Sequence, residues 1–193
     1  IGNAIALQLD REGAAIILHY HEHPEIALKV ADEIKQAGAR VELLQADFRD
    51  LKQVMQLGED AWNVFGGVDF LINNAGISYK KHFLSHTEED VNGFIDINLK
   101  ATLFLTQTIT RKMVERAVEG SVYTITSING IQPGVGHSVY GATKGALETL
   151  MKGVALDLAP HNIKVNTLAV GAILTQLNEA VCQDDERLDR FNN

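Results

Sequence analysis

Tyr140 and Lys144 stand four residues apart in "VYGATKG" (139–145), a stretch otherwise made mostly of small residues. At that spacing a helix puts both side chains on one face. A phenol titrates at about 10 in water and is a weak acid–base catalyst near neutral pH. An ammonium about 4 Å from a phenolate stabilises it by about 1 kcal/mol in water and by about 4 kcal/mol at an effective dielectric of about 20. A lysine one turn along, in a partly dry pocket, therefore lets a phenol exchange protons with a reacting oxygen. Gly141, Ala142, Gly145 and Ala146 leave both groups reachable and let a second helix or a bound molecule come close. The pair alone is a weak signal. Four tyrosines and ten lysines in 193 residues give this spacing by chance roughly 0.2 times, and a surface pair fits it as well.

Three other features bear on the same chemistry. Ser127 closes the β-branched run "SVYTITS", where a hydroxyl at a strand tip can bond a reacting oxygen; a loop-capping serine fits too. "NNAG" (73–76) follows the apolar run "VDFLI". Its asparagines can tie strand ends together, and Gly76 admits a ligand close to the backbone, although an ordinary turn has the same composition. Asn98 lies inside the apolar helix pattern "DINLKATLF", a mildly unfavourable place for an amide without a partner.

The elements that must position these residues alternate along the chain. Strand-like runs fall at 14–20, 39–47, 68–72, 121–127 and 163–170. Helical patterns lie between them: one ends at the stop signal Gly38, others span 51–67, 96–117 and 138–159, and Pro160 stops the last. Such alternation predicts βαβ units, a doubly wound parallel sheet and helices on both faces. No linker, repeat or low-complexity tract divides the chain, so 1–193 reads as one domain, three-layer α/β/α. Ligands of such sheets bind beyond the carboxyl ends of the strands. The loops found there, "HYHEHPE", "ADFRD", "NNAG", "TSINGIQPGVG" and "AVGAILT", are the polar, Gly-rich parts of the sequence.

"NNAG", Asn98, Ser127 and the Tyr140–Lys144 pair, in this order and spacing, resemble the short-chain dehydrogenase/reductase family of the single-domain kind, over essentially all 193 residues. The resemblance implies a Rossmann-like NAD(P)-binding domain that moves a hydride between the nicotinamide and an alcohol or carbonyl substrate. It makes Tyr140 the general acid–base. Lys144 favours the phenolate and bonds the nicotinamide ribose, Ser127 orients the substrate oxygen, and Asn98 holds a relay water. It assigns Asp47 to the adenine, Asn74, Ala75 and Gly76 to the cofactor cleft, and Gly171, Ile173 and Thr175 to the loop under the nicotinamide. The family forms tetramers through helices corresponding to 96–117 and 138–159, so a homotetramer is expected. "VGAILTQLNEA" (170–180) loosely resembles sugar dehydrogenases and 3-oxoacyl thioester reductases, too loosely to name a substrate.

The sequence departs from that pattern in three places. Only Ile1-Gly2 match the tail of the family's Gly-rich phosphate loop. The family's first strand, central in its sheet, and its last strand have no counterpart. Unpaired strand edges are thus predicted between 14–20 and 68–72, and the chain is expected to belong to a polypeptide longer by roughly 15 to 25 residues upstream and some tens downstream. Val170 replaces the family's usual Pro before Gly171, which is expected to loosen that loop modestly. At the end of the second family strand, Tyr20 stands where NAD users carry an acid, which favours NADP over NAD. His21 follows where NADP users often have Arg, and Glu22 would repel a phosphate.

Composition excludes other classes. With 17 basic and 25 acidic residues the net charge is −8, and no basic stripe suggests nucleic acid. No apolar run approaches the roughly 18 residues of a membrane span. One cysteine, Cys182, allows no internal disulfide and fits a reducing, cytoplasmic setting. His19, His21 and His23 lack the partners of a metal site. His137 is close enough in sequence to Tyr140 to touch a substrate, or is a plain loop histidine. Trp62 and Phe65 read as core. The alternative to an enzyme is a non-catalytic NAD(P)-binding redox sensor, against which the intact Asn98, Ser127, Tyr140 and Lys144 argue, because a sensor needs no acid–base pair.

Overall fold

The structure, a computed structural model, describes residues 1–173. Thr175 and Cys182 lie outside the described residues. Among these residues five strands, parallel to their neighbours within each sheet, alternate with helices, in the order α1 (Gly2–Arg11), β1 (Ile16–Tyr20), α2 (Pro24–Gln36), β2 (Val41–Gln45), α3 (Leu51–Phe65), β3 (Phe70–Asn73), α4 (Glu88–Phe94), α5 (Ala101–Glu115), β4 (Ser121–Ser127), α6 (Ser138–Leu158) and β5 (Lys164–Val170). This is a Rossmann-like α/β fold.

Local chemistry sets most boundaries. Pro24 opens α2 in the first helical position, where a missing N–H costs nothing. The chain leaves α2 through Gly38 at φ +92°, the left-handed stop that the sequence predicts. Asp50 caps α3 by accepting the Lys52 N–H at 2.9 Å. Thr87 and Asp90 form a reciprocal capping box on α4.

The pleat of β2 shows how the layers form. Val41 and Leu43 join a cluster with Ala6, Ile16, Val30, Ala31 and Ile34, so α1 and α2 cover one face. Leu44, one residue out of phase, joins Val54, Leu57, Trp62, Ala101, Leu105, Ile109 and Met113, so α3 and α5 cover the other. Trp62 is core as predicted; Phe65 lies beneath the Arg40 guanidinium, 4.7 Å from its ring.

The strands form two sheets, β1–β2 and β3–β4–β5. A cleft of about 950 Å3, lined from both sides by residues such as Ile16, Leu18, Phe70 and Ile72, runs between β1 and β3. The break falls where the sequence predicts unpaired edges. On one face of the three-stranded sheet Phe70, Tyr123 and Leu168 are exposed, so the three-layer expectation is met most fully over β1 and β2.

The helix predicted at 96–117 differs in detail. A π-helical turn, Ile95–Lys100, joins α4 to α5, and α5 proper begins at Ala101. Asn98 sits in that turn, and its carbonyl accepts the Thr102 hydroxyl at 3.0 Å. A wide turn inside a helix is frequently a functional feature, and here it carries the amide that braces the site.

Candidate active site

The tips of β3 and β4 and the first turns of α6 converge. Ser127 is the last residue of β4, with 5% of its surface exposed. Its Oγ accepts the Asn129 backbone N–H at 3.2 Å and so starts the short 3-10 turn Ile128–Gly130. That turn lies against α6 because glycines meet there. A Cβ on Gly145 would come within 2.8 Å of the Gly130 carbonyl oxygen, and one on Gly130 within 2.8 Å of the Gly145 nitrogen. The small residues around Tyr140 thus admit the turn that follows Ser127, a specific partner that the sequence does not name. Overpacking here shifts backbone rather than a side-chain tip. Gly145→Ala is expected to cost about 1–3 kcal/mol of stability and to lower turnover, read from thermal melts and steady-state rates on the same samples.

Lys144 is 6% exposed, and its Nζ donates to the Ile125 carbonyl at 2.9 Å. Burial pulls its pKa down to about 8. The ammonium stands 6.0 Å from the centre of the half-buried Tyr140 ring. Phe94, fully buried, flanks that ring at 6.3 Å, and His137 meets it edge-on at 5.7 Å.

Asn98 is completely buried. Its Oδ1 accepts the Ile77 N–H at 2.8 Å, and its Nδ2 donates to the Ile77 carbonyl at 3.0 Å and to Thr143 Oγ1 at 3.3 Å. Thr143 Oγ1 in turn donates to the Tyr140 carbonyl at 2.7 Å. One amide therefore fastens the loop after β3 to the helix carrying Tyr140 and Lys144. Ile77 and Thr143 are absent from the sequence-based site. An apolar and a small residue carry no chemical signal, and their part is played by backbone groups and a hydroxyl. Asn73 ties β3 to β4 by donating from Nδ2 to Thr124 Oγ1 at 3.2 Å, and to α5 by donating to Thr106 Oγ1 at 2.9 Å.

The other tips carry the remaining predicted residues. Tyr20 ends β1, and His21 follows with Nε2 3.6 Å from Asp47 Oδ1. Asp47 Oδ1 also accepts the Arg49 backbone N–H at 2.9 Å, with the Arg49 guanidinium 3.9 Å away. Arg49 is a third residue that the sequence reading did not single out, set in an ordinary polar loop. His19 bonds the Ala46 carbonyl at 3.0 Å and stacks on Phe48 at 4.3 Å, and burial lowers its pKa. His23 pairs with Glu25 at 3.1 Å, so the three histidines face different partners. Gly171 and Ile173 follow β5.

Residues 1–186 match the profile of the short chain dehydrogenase family. The chain belongs to that family. Among relatives of this dehydrogenase, elsinochrome reductase 1 of Elsinoe fawcettii is 35% identical over 185 residues, covering 95% of this chain and 68% of that one. The 3-oxoacyl-[acyl-carrier-protein] reductase of Staphylococcus epidermidis is 33% identical over 193 residues, 99% of this chain and 79% of its own. A 3-oxoacyl (acyl-carrier-protein) reductase of Agrobacterium tumefaciens, solved with NADP bound, superposes with a TM-score of 0.90 at 32% identity, covering 98% of this chain and 73% of that one. The dehydrogenase is accordingly an NAD(P)-dependent oxidoreductase acting on alcohol or carbonyl groups.

Its residues fit such a cofactor. A Cβ on Gly76 would sit 3.0 Å from Asn98 Oδ1 and 3.5 Å from Lys144 Nζ, so the bare glycine keeps a cradle open beside the buried ammonium. A Cβ on Gly2, at the start of α1, would lie 2.8 Å from Asn74 Nδ2. Helix starts of this kind suit phosphate.

Proposed function

We propose that this dehydrogenase reduces a ketone to a secondary alcohol with NADPH, using Tyr140 as the acid. The observation that carries the reading is the buried Lys144, held by the Ile125 carbonyl one turn from Tyr140. The nicotinamide, when bound, supplies the hydride; Gly2, Tyr20, His21, Asp47, Asn74, Ala75, Gly76, Gly171, Ile173 and Thr175 would hold the cofactor. The protein's own part is proton management. Ser127 donates a hydrogen bond to the substrate oxygen. The Tyr140 hydroxyl gives its proton to that oxygen as negative charge develops there. The Lys144 ammonium stabilises the phenolate left behind. Asn98 holds the loop and the helix in register, and its carbonyl region is the place for a relay water.

Tyr20 and His21 in place of an acid, with Arg49 beside Asp47, support NADP over NAD. The NADP bound to the Agrobacterium relative agrees. NADPH is expected to bind at least about tenfold more tightly than NADH; the reverse order in a fluorescence titration sinks the NADP assignment. Deuterium delivered from 4-deuterated NADPH to the carbinol carbon, found by mass spectrometry, tests the reaction itself.

The family's habit and the small, apolar faces of α5 and α6 support a homotetramer. Sedimentation showing a monomer at micromolar concentration rules it out. The acidic chain with its single cysteine suits the cytoplasm. Among the described residues no helix is long and apolar enough to cross a membrane.

A further inference from the structure

Tyr140, Lys144 and Glu148 follow one another at four-residue spacing and so share a face of α6. The first two belong to the site described above. The third is a half-buried carboxylate one turn further along the helix. Both of its oxygens are taken. Thr126 Oγ1 donates to Oε1, and Thr167 Oγ1 donates to Oε2 at 2.7 Å. Thr126 lies in β4, 1% exposed, and directly precedes Ser127; Thr167 lies in β5. The strand register sets Thr167 beside Thr124, on the same face of the sheet as Thr126. The carboxylate therefore spans the seam between the two strands.

Seating the helix does not require a carboxylate there. Leu147 and Met151, each 1% exposed, already bury their side chains from α6. Apolar contact is non-directional and lets a helix slide. Hydrogen bonds fix distance and angle, and a satisfied buried polar network rigidifies one arrangement. The neighbouring bond shows what is held. Lys144 Nζ donates to the carbonyl of Ile125, the residue before Thr126. Successive turns of α6 thus grip successive residues of β4, and the second grip adds β5.

We infer that Glu148 is a positioning residue: by locking α6 to β4 and β5 it holds Tyr140 and Lys144 in working register with Ser127. This rests on the ketone-reduction reading above. A misplacement of about 1 Å in a reacting geometry can cost about 10^2-fold in rate.

The test replaces the whole clamp with apolar groups of similar shape, Thr126→Val, Thr167→Val and Glu148→Leu together, in the full-length protein. Removing donors and acceptor at once leaves no unpaired group, so Tm should stay near that of wild type. With NADPH and cyclohexanone as the probe, kcat should fall at least about tenfold while the KM for NADPH stays within about threefold. Glu148→Gln accepts from one threonine and donates to the other, and should keep kcat within about threefold of wild type. No loss in the triple variant, an equal loss in Glu148→Gln, or a loss that tracks a fall in Tm overturns the inference. A second readout needs no turnover. Lys144 is 6% exposed, and acetic anhydride should label it slowly in the wild type. The triple variant should label Lys144 at least about tenfold faster, read by peptide mass spectrometry, because its cover opens locally. Lys112, paired with Glu59 at 2.6 Å between α5 and α3, should keep its wild-type rate. Unchanged labelling of Lys144, or equal gains at both lysines, overturns the inference. A wild type inactive on cyclohexanone counts against the reading beneath it, and the labelling still decides whether Glu148 holds Lys144 in place.

Discussion

Tyr140→Phe is expected to lower kcat about 10^2- to 10^4-fold, the span of a lost general acid, with NADPH affinity within about threefold of wild type. The substitution deletes one oxygen. The ring keeps its contacts with Phe94 at 6.3 Å and His137 at 5.7 Å, and no hydrogen bond within the described structure uses the hydroxyl as a brace; the Tyr140 group that does brace the fold is its carbonyl, which accepts from Thr143. Stability should therefore hold within about 0.5 kcal/mol. Stopped-flow rates, cofactor titration and a thermal melt on the same variant separate these terms. A variant that keeps a tenth or more of wild-type turnover would remove Tyr140 from the acid's role.

Lys144→Met should separate stability from activity. Burial holds the folded-state pKa of Lys144 at about 8, against an ordinary 10.5. The unfolded chain therefore binds the proton more tightly than the folded one. Below about 8 both states are protonated, and the folded chain carries the full cost of a buried ammonium, about 3 kcal/mol. Between about 8 and 10.5 only the unfolded chain holds the proton, so wild-type stability rises with pH. Methionine removes that cost but loses the bond to the Ile125 carbonyl, worth about 1 kcal/mol. The cofactor-free variant should be more stable near neutral pH by about 2 kcal/mol, raising Tm by roughly 4–8 °C. That advantage should fade as pH approaches about 10. Turnover should fall about 10^2- to 10^3-fold, as for loss of a preorganised charge. A melt at two pH values beside a rate assay reads both. A variant less stable than wild type near pH 7 would show that the ammonium is better satisfied than its single bond to Ile125 suggests.

The sequence carries the fold where local signals are strong. The β-branched run "SVYTITS" places β4 at Ser121–Ser127, and the helix predicted from Ser138 begins there. The break beside β1 and β3 lies where the family resemblance places a further strand, and among the described residues no strand pairs with either edge there. What escapes the sequence is non-local. A six-residue π turn at Ile95–Lys100 changes the helical period too briefly to register in an apolar pattern. The Gly130–Gly145 contact joins residues distant in sequence, and glycine carries no side chain to signal it. The clamp on Asn98 engages the backbone of Ile77, which any residue could supply. The chemistry-bearing side chains are legible because their types are rare at that spacing; the braces are not, because hydroxyls and peptide groups are everywhere.

The most direct test of the acid–base account is steady-state oxidation of NADPH and NADH by the full-length protein with a panel of ketones, sugars and 3-oxoacyl thioesters. Turnover with NADPH on a carbonyl compound, lost in Tyr140→Phe, is the result predicted. Tight NADPH binding without turnover on any member of the panel would contradict the account and leave the protein a nicotinamide-binding sensor.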